Sequence, residues 1–98
     1  MKNLKHITII ILLAVGLVTS VEQAKSPSLL LQEGLYAEEM EGDLDNAIEI
    51  YQQIIADKSS DNRISAQAMY RLGMCYTKKR DEQRAKTAFQ KLIAQFPD

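Results

Sequence analysis

The sequence predicts an all-α protein built from two helix-turn-helix hairpins, and three observations carry that reading. Apolar residues recur at spacings of three, four and seven through most of residues 44–96. No segment alternates apolar and polar residues with period two, so no strand is expected. Breaks rich in glycine, serine, asparagine and aspartate fall between the periodic segments, where turns and helix caps are needed. At 98 residues the chain holds one domain at most. A hydrophobic share of 46% beside 26% charged residues, with few prolines and glycines, argues against disorder and fibrous repeats.

The N-terminal 24 residues read as an address. Lys2 and Lys5 precede an apolar run from Ile7 to Val18, and the more polar Thr19 to Lys25 follows. A positive start, a short apolar run and a polar end form the layout of a secretory signal peptide. Val18-Thr19-Ser20 fits the small-x-small cleavage pattern, whereas a cut after Ala24 leaves Glu22 in an awkward place. No cysteine stands directly after the run, so a lipoprotein anchor is not expected. The alternative is a short uncleaved membrane anchor, but the run has only 12 residues before Thr19, and a spanning helix needs about 20. The expectation is an exported chain, periplasmic or in the cell envelope. Contact with a membrane is expected only if this segment stays attached.

Residues 25–98 form the expected domain, with hairpins at about 27–57 and 61–96. Ser26-Pro27 supplies an N-cap and a first-turn proline. The first helix runs to about Glu41, and Gly42 suits a C-terminal cap. Asp43 caps the second helix, whose stripe is Leu44, Ala47, Ile48, Tyr51, Ile54 and Ile55. The polar break 57–62 offers several caps. The third helix buries Ala68, Met69, Leu72, Gly73, Cys75 and Tyr76 and ends on Lys78-Lys79-Arg80, favourable against the helix dipole. Asp81 and Glu82 start the fourth helix. Its stripe of Ala85, Ala88, Phe89, Leu92, Ile93 and Phe96 is the most regular in the chain, and Pro97 stops it.

The second hairpin also carries a motif. It reads Met69-x2-Leu72-Gly73-x2-Tyr76, then Ala85-x3-Phe89, then Pro97. This resembles the tetratricopeptide repeat pattern W-x2-L-G-x2-Y, A-x3-F, P, with methionine in place of tryptophan. Gly73 and Ala85 are small where two helices approach closely, and Tyr76 and Phe89 fill the space around them. The first hairpin matches less fully. Ala47-x3-Tyr51 and Gly34 correspond, but Glu33 stands where leucine is usual and Ala37 where tyrosine is. Gly34 to Ala47 spans 13 residues, and Gly73 to Ala85 spans 12. The repeat from Ala47 to Ala85 is 38 residues against about 34 in the family. The extra residues are expected to lengthen the second helix or the link around Ser59-Ser60. Long repeats of this kind are similar to those of exported bacterial tetratricopeptide proteins of the cell envelope. A generic four-helix bundle would show the same stripes; the motif favours the repeat.

Two hairpins bury little apolar surface, and about three repeats are normally needed. Something is therefore expected to cover Leu92, Ile93 and Phe96: a second copy, a partner or further sequence. Nine acidic residues and one basic residue lie between Glu22 and Asp57, against nine basic and four acidic from Lys58 to Asp98, so the halves carry −8 and +5. The acidic cluster Glu38, Glu39, Glu41, Asp43, Asp45 and the basic cluster Lys78, Lys79, Arg80, Arg84 either attract within one molecule, suit head-to-tail contact between copies, or are simply solvated.

No catalytic residue stands out, and the chain reads as a non-enzyme. His6 is the only histidine and lies in the N-terminal address. Cys75 is the only cysteine, so an internal disulfide or a cysteine-based zinc site is ruled out. It is expected to be a buried, inert thiol, with an intermolecular disulfide or redox role as the alternative. Glu38, Glu39 and Glu41 read as exposed. There is no phosphate loop and no metal-ligand spacing, so no cofactor or metal is expected. Nucleic-acid binding is not expected either, because the chain is near neutral and no aromatic residue interleaves the basic cluster.

The resemblance implies a groove lined by the first helix of each hairpin that holds a peptide or helix of a protein partner. On the third helix, Gln67, Tyr70, Met74, Thr77 and Lys78 lie off the core stripe and are the candidate partner contacts. Tyr70 and Met74 instead pack on the first hairpin in the alternative reading. The carboxylate clamp of some peptide-binding family members is not recognisable. Two functions follow: an envelope adaptor that binds a partner protein or self-assembles, or a non-catalytic cap or spacer of a larger exported protein.

Overall fold

A computed structural model describes residues 25–97. The N-terminal address proposed for residues 1–24 lies outside them. The described chain is four helices in sequence, each packed on the next: α1 (Pro27–Tyr36), α2 (Leu44–Ala56), α3 (Asn62–Lys78) and α4 (Glu82–Gln95). α1 runs on without a break into a π-helical turn, Ala37–Glu41. α1 also touches α3, so the two hairpins share a core. No helix among the described residues is long and apolar enough to cross a membrane.

Each helix begins where the sequence supplies an acceptor for its free N–H groups. Ser26 Oγ accepts from the Leu29 N–H at 3.3 Å, with Pro27 in the first turn. Asp43, Asp61 and Asp81 cap α2, α3 and α4 through the N–H groups of Asn46 (3.1 Å), Ile64 (2.8 Å) and Arg84 (3.1 Å). Each such cap contributes about 1 kcal/mol. Gly42 closes the π turn in the left-handed region at φ 67°, a conformation that glycine adopts without steric penalty.

The shared core consists of Ala37, Ala47, Tyr51, Ile54, Ala68 and Cys75, with Leu31, Ile48, Ile55, Ile64 and Leu72 packed around it. Within each hairpin a glycine lets an aromatic ring lie against the facing helix. A Cβ on Gly34 would stand 2.6 Å from the Tyr51 ring, and one on Gly73 would strike the Phe89 ring as closely. The two contacts are equivalent, which confirms that the hairpins are repeats of one unit.

Both irregularities of spacing have a structural home. The extra residue between Gly34 and Ala47 is absorbed by the π turn, where the Gly42 N–H donates to the carbonyl of Ala37, five residues back. The long 38-residue repeat was expected to lengthen the second helix or the link, and it lengthens α3 instead. Gly34 lies seven residues beyond Pro27, the first residue of α1, whereas Gly73 lies 11 beyond Asn62, the first of α3. The four added residues extend α3 by one turn at its start. Helix continuation satisfies each added backbone group within the segment, which a longer loop does not.

Candidate functional site

A groove of about 950 Å³ opens along α3. α1 contributes Leu31 and Leu35, α3 contributes Arg63, Gln67 and Tyr70, and the end of α4 contributes Leu92, Ile93 and Phe96. Its lining is mainly apolar with a few polar groups, the composition expected of a surface that receives another chain. The apolar members follow from helical spacing: Leu31 and Leu35 are one turn apart, as are Leu92 and Phe96.

Of the five partner contacts expected on α3, the structure brings Gln67 and Tyr70 into the groove. Tyr70 is exposed and its ring is tilted 49° against Phe89, with centroids 6.2 Å apart. It therefore leans on its own hairpin, not on the first, because it stands one helical turn before Gly73, the residue against which Phe89 lies. Met74, Thr77 and Lys78 lie outside the groove lining. Thr77 Oγ1 donates to the Gly73 carbonyl at 2.9 Å. Lys78 is held elsewhere, by Glu38. Leu31 and Leu35 were not among the expected contacts, since their helix shows no regular stripe and only the tertiary arrangement turns them toward α3.

Behind the groove sits a charged cluster. Glu38 was read as exposed, and the structure corrects this: its side chain is fully buried. The π turn rotates the chain so that the neighbours Ala37 and Glu38 both face inward. Tyr51 Oη donates to Glu38 Oε1 at 2.8 Å, and Lys78 Nζ donates to Oε2 at 2.6 Å. Arg71 lies 3.6 Å away and also pairs with Glu39 at 3.0 Å. Burial pushes the Glu38 carboxyl upward, but the hydrogen bonds from Lys78 and Tyr51 and the charges of Lys78 and Arg71 outweigh it, leaving Glu38 below its ordinary value. Lys79 pairs with Asp45 beside it. The opposed clusters thus meet within one molecule, and the pair at Glu38 is the one protected from solvent.

In this cluster the charges are paired and the neighbouring thiol is buried. Glu38 is ionised and its oxygens are occupied by hydrogen bonds. Burial first, and then the charge of Glu38, push the Cys75 thiol up to about 12, so it stays protonated and unreactive. Neither side chain lines the groove. Among the described residues no group of three or more histidine, cysteine, aspartate or glutamate side chains is placed to hold a metal ion. What the arrangement does is tie α3 to the first hairpin through Lys78 and Arg71.

Comparison with known proteins agrees with the repeat. The family model described as tetratricopeptide repeat matches residues 29–57 and 67–98, one match per hairpin. No curated protein and no solved structure matches the chain.

Proposed function

The chain belongs to the tetratricopeptide repeat family, and from that premise we propose that it is an exported adaptor of the cell envelope that holds a segment of another protein in the α1–α3–α4 groove. Repeats of this family generally mediate protein–protein interaction and are generally non-catalytic. The observation that carries the reading is the groove itself: an open, mainly apolar surface with Tyr70 and Gln67 on one wall and Leu31 and Leu35 on the other. Exposed aromatic and aliphatic groups backed by a rigid helix pair are the usual anchors of binding energy. The Glu38 cluster supports it by tying α3 to the first hairpin. Export rests on the N-terminal address, Lys2 and Lys5 before the apolar run from Ile7 to Val18. A role as cap or spacer of a larger exported protein is the second reading, favoured by the bare apolar end of α4.

Selection of peptides from a random displayed library on the full chain tests the groove. The recovered peptides are expected to be apolar, and Tyr70→Ala is expected to weaken their binding about tenfold or more. A library that yields no binder, or binders indifferent to both Tyr70→Ala and Gln67→Ala, overturns the adaptor reading.

A further inference from the structure

The two ends of the molecule are the unmatched halves of an interface that it already contains. Superposing the repeats on Gly34 and Gly73, and on Tyr51 and Phe89, gives each residue of α1 and α2 a counterpart in the second hairpin. Ala68 and Cys75 on α3 are fully buried against the first hairpin. Their counterparts on α1 are Leu29 and Tyr36, which stand 43% and 58% exposed. On the other side, Leu31 and Ile55 of the first hairpin are packed into the shared core. Their counterparts Tyr70 and Ile93 stand 48% and 67% exposed. One end of the molecule therefore presents the surface that α3 uses internally, and the other end presents the surface that receives it.

The charges differ in the matching sense. Where the internal interface has Ile48 on one side and Leu72 on the other, the free surfaces carry Lys86 and Glu33. The free α1 surface belongs to the acidic half of the chain and the free α4 surface to the basic half, −8 and +5. Internal pairing uses Glu38, Glu39 and Asp45 against Arg71, Lys78 and Lys79. Arg63 and Lys86 on the basic side and Glu49 and Asp57 on the acidic side make no ion pair among the described residues. Beside the α1 surface, a second hollow between α1 and α2 is lined by Leu30, Glu33, Ile50 and Asp57 and faces away from the second hairpin.

We propose that a second copy of this chain docks head to tail, its Leu29–Tyr36 surface on the Tyr70–Ile93–Phe96 end of the first. This rests on the adaptor reading and names its partner. The contact is heterologous: it leaves one free end on each outer copy and can propagate. The contact is non-covalent, so association is reversible and concentration-dependent.

The test uses the full chain in sedimentation velocity across a range of concentrations. The wild type is expected to gain mass as concentration rises. Ile93→Glu closes one end and Tyr36→Glu the other; both positions are exposed, and circular dichroism verifies that each variant keeps its helices. Each variant alone is expected to lose association at least about tenfold. Mixed in equal amounts, the two are expected to form a 1:1 dimer that grows no further, because only one compatible pair of ends remains. A wild type that stays monomeric overturns the proposal and leaves the α4 end to other sequence or another partner. Variants that still self-associate, or a mixture that stays monomeric, overturn it as well. Should any of these occur while Tyr70-dependent peptide binding persists, the adaptor reading stands and only the identity of the partner fails.

Discussion

In the first hairpin the ring lying across the close-approach glycine is Tyr51, and its hydroxyl is tied to a buried carboxylate. In the second hairpin the equivalent ring is Phe89, half-buried and free of any polar tie. The turns that follow differ as well. The first is a π turn closed by Gly42, and the second is a tight turn in which Arg80 takes φ 61°. A single inserted residue accounts for the difference between the turns. It brings Glu38 under the turn, where the second hairpin can reach it with Lys78 and Arg71. The first hairpin is thereby locked from both sides, whereas the second is closed only by apolar contact.

Breaking that lock is expected to have the largest effect. Glu38→Ala leaves the Tyr51 hydroxyl buried without an acceptor and removes the partner of two cations, at a cost of about 3 kcal/mol in urea unfolding. Thr77→Ala, at an exposed position in the last turn of α3, should cost well under 1 kcal/mol. The same contrast appears with pH. Glu38 is depressed on folding, so its contribution is complete above its ordinary value of 4.5 and is lost as pH falls through the lower folded value. Asp57, lowered by hydrogen bonds from Ser59, adds an acid dependence of the same sign. Stability measured between pH 7 and 3 should therefore fall on the acid side in the wild type, and less steeply in Glu38→Gln.

The glycines sharpen the comparison at smaller amplitude. Gly34→Ala drives a methyl into a ring that is fully buried and hydrogen-bonded, and Gly73→Ala drives one into a ring that is half-buried and makes no hydrogen bond. About 2 kcal/mol is expected for the first and about 1 or less for the second, by the costs of overpacking. Equal losses would show that Tyr51 is no more rigid than Phe89.

The smallest effect tests the turns. Arg80 holds a left-handed conformation unfavourable for a residue with a Cβ, so Arg80→Gly should raise stability by up to about 1 kcal/mol. Gly42→Ala should lower it by a similar amount. Both are readable as shifts in melting temperature, and opposite signs are the expected result.

Much of this was legible from residues close in sequence. The caps at Ser26, Asp43 and Asp81, the left-handed glycine at 42 and the buried stripe of the second helix depend on neighbours within one or two turns. Two residues of the groove, Gln67 and Tyr70, were legible for the same reason, since they lie off the core stripe of their own helix. The other wall was not, because Leu31 and Leu35 acquire their role only from the direction in which α1 faces α3.

Four helices, their caps and the small residues at the close approach follow from the sequence, because helix periodicity, capping and close approach are written in short-range spacing. The tertiary structure alone decided the fate of Glu38. A carboxylate among exposed acids reads as solvated until a tyrosine 13 residues away and a lysine 40 residues away are brought to its oxygens. It also decided where the surplus residues go, one into a π turn and four into α3, and so which apolar surfaces are spent inside the molecule and which are left at its two ends. Those outcomes depend on the electrostatic and packing energy of groups far apart in the chain.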